Sequence, residues 1–392
     1  MLKKNLPSEI LWAITLWVIP FTVFSTLNQG AYFMQGSHNA YLSFSLYASE
    51  VLIFFTGFLF LVELLLHKRK TKLHLESLLI SGVILALSAL SIVFATDKTA
   101  ATLALIHVLA GLSIFLLLTH HITRPEKTQT WLLSALVFQS LLAILQIITQ
   151  NSIGLSFLGE PNIGPDVSGV AKLSLFGHTL IRGYGTFPHA NILAGFLGVG
   201  ILLSLSLPKN KFSLATKIIL GIGFFLAFSK AAIIALLLTL IFTKKLPKKI
   251  SWALLGILIT ILLIKASDLL TSESFLERMQ YLGISLAMLA EKPFGVGLSQ
   301  FTAHIQDFSI IKLQPWQYQP VHNIYLLITN ELGIWSAGAL LGGLIYTFIK
   351  HKKTIAFILF LALIGLFDHY LFSLPQGILL GGGVLGLTYL KN

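Results

Sequence analysis

The chain has 392 residues, of which 55% are hydrophobic and only 11% are charged, and its formal net charge is +12. Soluble domains carry roughly 25% charged residues. This composition therefore excludes a cytosolic enzyme and predicts a single integral membrane domain over residues 1–392. The chain contains no cysteine, which excludes disulfides and thiolate chemistry.

Apolar stretches, most of them about 20 residues long, recur along the chain, and this length crosses ~30 Å of hydrocarbon. They cover residues 9–27, 41–66, 76–95, 100–120, 130–150, 190–207, 212–243, 250–266, 322–347, 354–372 and 374–390. Stretch 212–243 is too long for one span and has lysines at both ends, so we expect it to turn near Phe228-Ser229-Lys230. The result is an all-α, polytopic helical bundle with about twelve spans.

The positions of the basic residues predict the orientation of this bundle. Lysine-rich connections such as 244–249 are typical of the cytoplasmic side, and the same rule places both termini, with Lys3, Lys4 and Lys391, in the cytoplasm. Residues 151–189 and 267–321 then form two long outer loops, the second beginning with a surface helix at Glu273–Ala290. Orientation explains most of the positive charge, so no nucleic-acid partner is expected.

Eight of the 27 basic residues remain on the predicted outer side, and three of them are candidates for a site. Arg182 and Arg278 each lie in one long loop, and Lys230 lies at the turn of the hairpin. A cation at a membrane boundary often extends to the lipid headgroups. Three cations on one side, each beside a short polar motif, favour instead an anion site, and diphosphate is the anion expected at a membrane surface.

His322, at the start of the predicted tenth span, is a candidate general base because an imidazole titrates near neutral pH. The alternative is an interfacial histidine without chemistry. Glu331 lies about 13 Å deeper on the opposite helix face, so the partner that orients His322 must come from another segment. The chain has no H-x-x-x-H, H-E-x-x-H or D-x-D motif, so neither a metal nor a cofactor is expected.

Four motifs in order resemble those of the O-antigen ligase/polymerase family. They are Arg-x-x-Gly-Thr-Phe-x-His-x-Asn at 182–191, Ser-Lys at 229–230, Glu-Arg followed by Glu-Lys-Pro-Phe-Gly-Val-Gly within 277–297, and His-Asn-x-Tyr-Leu at 322–326. The resemblance covers roughly residues 180–335 in order and spacing. One position departs from it, since the family usually has Ser-Arg where this chain has Ser-Lys, and lysine keeps the charge but loses the bidentate geometry.

The resemblance implies an inverting, metal-independent glycosyltransferase with a GT-C-like helical fold in the bacterial cytoplasmic membrane. Its donor would be a glycan on undecaprenyl diphosphate at the periplasmic face, and its other partners a lipid or glycan acceptor and membrane lipids. By the same resemblance, His322 would be the base, and Arg182, Lys230 and Arg278 would hold the diphosphate. The expected supporting residues are Gly185, Thr186, His189, Asn191, Ser229, Asn323 and Tyr325.

Several acceptors remain open. A ligase transfers to a lipid A core sugar, a polymerase to another lipid-linked repeat, and a protein O-oligosaccharyltransferase to Ser or Thr; the length of the chain and the second long loop favour the ligase slightly. A transporter of lipid-linked or small solutes is an alternative from another class, because many spans and a broken hairpin suit that architecture. A transporter would gather its polar residues midway across the membrane, whereas a transferase would gather them at the outer surface.

Overall fold

The computed structural model describes residues 6–389 except 28–32, 35–36, 67, 69–70, 72–73, 176, 265–269 and 353. The predicted terminal lysines Lys3, Lys4 and Lys391 lie outside the described residues. The described part is mostly helical, with 69% helix in sixteen helices. These are α1 Pro7–Val18, α2 Ala48–Leu65, α3 Leu75–Ser91, α4 Lys98–Thr119, α5 Pro125–Thr149, α6 Ala190–Ser204, α7 Lys211–Leu226, α8 Lys230–Phe242, α9 Lys248–Ile264, α10 Glu273–Glu291, α11 Phe301–His304, α12 Ile324–Leu332, α13 Ile334–Lys350, α14 Ile355–Gly365, α15 Tyr370–Ser373 and α16 Pro375–Tyr389.

Within the described residues, four segments are long and apolar enough to cross a membrane: α2, α3 with its extension to Phe94, α4 and α5. Shorter apolar helices follow, among them α6, α8, α13 and α14. This length and composition support the prediction of a helical membrane protein, because a helix of about 20 apolar residues matches the hydrocarbon thickness. The twelve spans and the GT-C-like arrangement stay predictions.

In the part of the chain that the structure describes, the strands form three short antiparallel pairs in the connections between helices. The pairs are β1 Phe24–Thr26 with β4 Ser45–Tyr47, β2 Phe33–Met34 with β3 Ser37–His38, and β5 Lys172–Leu175 with β6 His178–Ile181. The first pair corrects two predicted spans: the 9–27 stretch is helical only in α1, and the 41–66 stretch only from Ala48. In these strands, hydrogen bonds between paired backbone N–H and C=O groups take the place of those that a helix would provide.

The predicted break in stretch 212–243 is confirmed. Helix α7 ends at Leu226 and α8 begins at Lys230, with Phe228 at φ 45° between them. The Ser229 hydroxyl accepts a hydrogen bond from the backbone N–H of Ala232 at 3.4 Å and so caps α8. The helix expected from Glu273 is also present, as α10.

Two other predicted spans are wrong in detail. Stretch 322–347 is two helices rather than one, because Gly333 has φ 86° and a Cβ there would lie 2.6 Å from the carbonyl oxygen of Phe294. Only glycine tolerates that backbone conformation without strain. In stretch 354–372, α14 ends at Gly365, and Asp368 therefore lies in a connecting segment rather than within a span.

The connection between α1 and α2 meets both long predicted loops at one end of the bundle. The Thr22 hydroxyl donates to the carbonyl oxygen of Thr186 at 2.6 Å, and the Asn39 amide donates to the carbonyl oxygen of Tyr318 at 2.7 Å. These contacts bring the first β-hairpin and both long predicted loops together. We call this region, around Thr22, Asn39, Thr186 and Tyr318, the loop end.

Candidate functional site

Arg182 follows strand β6 and links three segments of the loop end. Its Nε donates to the carbonyl oxygen of Ala227, just after α7, at 2.7 Å. Its Nη2 donates to Oδ1 of Asn191, in the first turn of α6, also at 2.7 Å. A guanidinium has five N–H donors, so three of them are left for another partner.

Asn191 carries this contact on to a buried carboxylate. Its Nδ2 donates to Oδ2 of Asp368 at 2.8 Å, while Oδ1 of Asp368 accepts the backbone N–H of His369 at 2.8 Å. Asp368 is only 7% exposed and His369 only 4%. A buried carboxylate needs such donors, because desolvation of the charge is otherwise costly.

His322 lies directly against this pair. Its ring centroid is 5.0 Å from that of His369, with the planes tilted by 50°. The rings of Tyr281 and Tyr41 flank the two histidines, at 6.1 Å from His322 and 5.4 Å from His369. The Nδ1 atom of His322 is buried and has no hydrogen-bond partner among the described residues. An unpaired imidazole nitrogen at this position could bind a substrate hydroxyl.

Asn323 and Tyr325 hold His322 in place. The side-chain oxygen of Asn323 accepts the backbone N–H of Leu326 at 3.0 Å and so caps α12, and its amide donates to the carbonyl oxygen of Leu366 at 3.3 Å. The Tyr325 hydroxyl donates to the carbonyl oxygen of Ala362 at 2.7 Å. Both contacts tie the start of α12 to the end of α14, beside the segment that carries Asp368.

The surroundings keep both His322 and His369 neutral at physiological pH. These residues lie in connecting segments outside the helices. Burial lowers the pKa of His322 from its ordinary value, the negative charge of Asp368 opposes that shift, and the positive charge of Arg278 adds to it. Burial lowers the pKa of His369 to about 3, against the same opposing charge of Asp368. Neutral imidazole is the form that accepts a proton.

Asp368 is ionised at the centre of the cluster. Burial alone raises the pKa of a carboxyl group, but attraction to the neighbouring histidines, which become protonated as the pH falls, and the hydrogen bond from Asn191 outweigh burial and hold the pKa of Asp368 below its ordinary value. His189 lies close enough to be affected by the same charges: burial lowers its pKa to about 4, and Asp368 opposes that shift. The cluster therefore carries one negative charge among neutral imidazoles.

Arg278 and Lys230 differ in how closely they approach this cluster. Arg278, on α10, is half-buried, and its charge lowers the pKa of both His322 and His369. Lys230 is the first residue of α8, three residues after Ala227, which accepts the hydrogen bond from Arg182. Its side chain is exposed, and within the described residues no hydrogen bond or ion pair holds it. Arg182, Arg278 and His322 are thus brought together, with Lys230 at the edge.

The remaining expected supporting residues build the loop itself. Gly185, at φ 59°, donates its backbone N–H to Oε1 of Gln146 at 2.9 Å, and the Thr186 backbone N–H donates to Oε1 of Gln139 at 2.9 Å. The Nδ1 atom of His189 accepts the backbone N–H of Asn191 at 3.1 Å and caps α6. The backbone N–H groups of Gly185 and Thr186 are both used in these buried hydrogen bonds, which position the segment that carries Arg182.

Sequence reasoning missed Asp368 as the partner of His322 and did not consider His369. In the sequence, Asp368 falls inside the apolar stretch 354–372 and therefore resembles an acid within a span. A useful signal was present, since an Asp-His pair inside an otherwise apolar stretch is by default a functional hypothesis. Gln139 and Gln146 were missed as well, although two glutamines seven residues apart share one face of the apolar helix α5.

The same cluster contains a set of possible metal ligands. A ring nitrogen of His322, a ring nitrogen of His369 and a carboxylate oxygen of Asp368 all lie within 4.8 Å of one another. Zinc accepts histidine and carboxylate ligands of this kind. The donors come from two segments 46 residues apart in sequence, between His322 and Asp368, which no short motif could indicate. The expectation that the site needs no metal stays a prediction.

Comparison with known proteins gives no further guide to this site. No protein-family model, no curated protein sequence and no solved structure matches the chain.

Proposed function

We propose that this protein is a membrane glycosyltransferase that moves a glycan from a polyprenyl diphosphate to an acceptor hydroxyl, with inversion at the anomeric carbon. The observation that carries the proposal is the meeting of His322 with Asp368 and His369, on a hydrogen-bonded path that leads to Arg182. A base with its own carboxylate, next to fixed cations, is what displacement of a diphosphate by a hydroxyl requires.

His322 acts as the general base in this proposal. The acceptor oxygen forms a bond to the anomeric carbon while its proton passes to the imidazole of His322. The bond between the anomeric carbon and the diphosphate oxygen breaks, and its electron pair leaves with the diphosphate. Asp368 stabilises the imidazolium that forms, because one of its carboxylate oxygens lies within 4.8 Å of a ring nitrogen of His322. A positioned base contributes about 10²–10⁴ in rate.

In this proposal the three cations bind the diphosphate, which is the leaving group. Arg182 keeps three N–H donors free after its two bonds within the protein, and a planar guanidinium suits two diphosphate oxygens at once. Arg278 adds a second positive charge close enough to His322 to lower its pKa. Lys230 contributes an exposed positive charge at the start of α8, where the helix dipole is also positive.

We further propose that the loop end faces the periplasm of a bacterial inner membrane and that both termini lie in the cytoplasm. The distribution of lysine among the short connections supports this orientation. Convergence of the polar residues in connecting segments at one end of the bundle fits a transferase better than a transporter, which binds its solute near the midplane. Among acceptors, a lipid A core sugar comes first, and another lipid-linked repeat or a protein hydroxyl second.

A reconstituted reaction tests this function. Purified protein is incubated with a polyprenyl-diphosphate-linked glycan and, in parallel, with each class of acceptor, and the products are identified by mass spectrometry. We expect a glycosylated acceptor and free polyprenyl diphosphate from the wild type and neither from His322→Ala. Correctly folded wild-type protein that forms no product with any acceptor would refute the proposal.

A further inference from the structure

The cluster of His322, Asp368 and His369 has the composition and spacing of a three-ligand metal site. Each side chain offers one ligand atom, and within the described residues this is the group of three histidine or acidic side chains whose ligand atoms lie this close together, within 4.8 Å. A tetrahedral zinc ion bonded at about 2.0–2.1 Å to each atom holds the three about 3.3 Å apart, so each must move inward by less than about 1 Å. Small side-chain rotations are therefore enough to close the site.

Both histidines present a ring nitrogen with an available lone pair. The Nδ1 atom of His322 is buried and accepts no hydrogen bond from the part of the chain that the structure describes. In His369, Nδ1 lies 2.7 Å from the Ser373 hydroxyl, which itself donates to the carbonyl oxygen of His369 at 3.1 Å. The Ser373 oxygen therefore accepts a hydrogen bond from Nδ1–H, and the lone pair of His369 is on Nε2. Metal-binding histidines usually donate their other ring N–H to a fixed partner in this way.

Asp368 supplies the third ligand and is already oriented. One of its oxygens accepts the Asn191 amide and the other accepts the backbone N–H of His369, both at 2.8 Å. An ionised carboxylate has about four lone-pair sites, so each oxygen keeps one for a metal. Carboxylates that bind metals are themselves hydrogen-bonded as a rule.

The ligand types select the ion. Two imidazoles and one carboxylate suit zinc, whereas magnesium and calcium prefer oxygen ligands alone. Only one of the three ligands is anionic, and the positive charges of Arg278 and Arg182 act on the same cluster. These two cations repel a divalent ion. The balance favours a zinc ion that binds reversibly over one that is a permanent part of the protein.

We propose that zinc binds reversibly to His322, Asp368 and His369 and that the bound ion inhibits glycan transfer. The inhibition rests on the proposed function, because it takes His322 to be the general base. A zinc ion on the ring nitrogen of His322 occupies the lone pair that would otherwise accept the proton of the acceptor hydroxyl. It also neutralises Asp368, which would otherwise stabilise the imidazolium. No substrate bond forms or breaks at this ion.

A binding assay without lipid or glycan tests the site itself. Purified protein in detergent is treated with EDTA, dialysed free of it and titrated with zinc chloride or magnesium chloride in a calorimeter. We expect saturable binding of about one zinc ion per chain and no binding of magnesium at the same concentrations. Absence of saturable zinc binding would overturn the inference, as would equal binding of magnesium.

Two histidine substitutions provide a matched pair. His304, also at the loop end, forms a second His-Asp pair, with Nδ1 at 3.1 Å from a carboxylate oxygen of Asp307. We expect His369→Gln to weaken zinc binding at least about tenfold and His304→Gln to bind zinc as the wild type does. Ser373→Ala, which removes only the partner of the His369 ring, should weaken binding about tenfold and serves if His369→Gln does not elute as folded protein. The reverse pattern, with zinc lost in His304→Gln, would place the ion elsewhere and overturn the inference.

The transfer reaction tests the inhibition. We expect the zinc concentration that halves the rate to agree within about threefold with the dissociation constant from the binding assay, and EDTA to restore the full rate. Bound zinc that leaves the rate unchanged or raises it would overturn the inhibition. So would equal zinc sensitivity of Ser373→Ala and the wild type, since zinc would then be acting on the diphosphate. Saturable zinc binding by a wild type that transfers no glycan, even with EDTA, would refute the proposed function and leave the zinc site standing.

Discussion

Replacing Asp368 by asparagine tests the central contact of the site, because it removes one charge and almost no volume. A carboxylate oxygen of Asp368 and a ring nitrogen of His322 lie within 4.8 Å of each other. Two unit charges at that separation interact by roughly 3 kcal/mol at an effective dielectric constant of about 20. His322 becomes positively charged only during the reaction, so most of this free energy stabilises the transition state. We expect kcat to fall about a hundredfold with KM nearly unchanged.

The pH dependence distinguishes this role from a purely structural one. The base must be neutral, so activity falls as the pH drops below the pKa of His322. The charge of Asp368 raises that pKa, and its removal should lower it further. The acid limb of the pH–rate profile should therefore move to lower pH in Asp368→Asn, even though the maximal rate is smaller.

A control uses an aspartate of the same loop end that is far less buried. Asp307, whose side chain is 65% exposed and pairs with His304, is replaced by asparagine in parallel and should leave kcat and the profile unchanged. The reasoning is refuted if Asp368→Asn keeps activity within about threefold of wild type. It is equally refuted if kcat falls while the acid limb stays where it is.

Four other outcomes are expected. His322→Ala should abolish transfer while the protein elutes as the wild type does in gel filtration; residual activity above one hundredth would remove it as the base. Arg278→Lys should reduce kcat/KM more than Lys230→Arg, which adds a bidentate donor, and the reverse order would contradict the diphosphate assignment. Transfer should survive EDTA, whereas a loss that zinc restores would make His322 and its neighbours a catalytic metal site. Gln146→Leu leaves the carbonyl oxygen of Gly185 without its donor and should lower the free energy of unfolding by about 1–3 kcal/mol, seen as a lower midpoint of thermal unfolding in detergent.

The sequence predicted those parts of the structure that depend on local chemistry. The break before Lys230 follows from a stretch too long for one span, and the structure has it at the expected position. The prediction that Glu331 does not orient His322 is also confirmed. Its carboxylate instead accepts the backbone N–H groups of Ser299 and Phe301 at 2.7 and 3.2 Å. Helix geometry alone was sufficient for that conclusion.

Contacts between segments distant in the chain could not be predicted from the sequence. Asp368 has the same apolar surroundings in sequence as an acid inside a span, and only the end of α14 at Gly365 reveals that it lies in a connection. The division of stretch 322–347 depends likewise on a tertiary contact, since Gly333 approaches the backbone of Phe294. Hydropathy reports how apolar a segment is, and it carries no information about which loop meets it.

The arrangement also explains how a carboxylate is maintained in such a buried place. Two hydrogen bonds, from the Asn191 side chain and the His369 backbone, offset the desolvation of Asp368, and Arg182 on the far side of Asn191 supplies the nearest fixed positive charge along that path. These groups are already oriented without substrate, so they need little rearrangement when charge moves from the acceptor to the diphosphate. The burial of Asp368 and His369 away from water lowers the local dielectric constant. Each interaction with the cations is strengthened there, which is where a leaving diphosphate gains its charge.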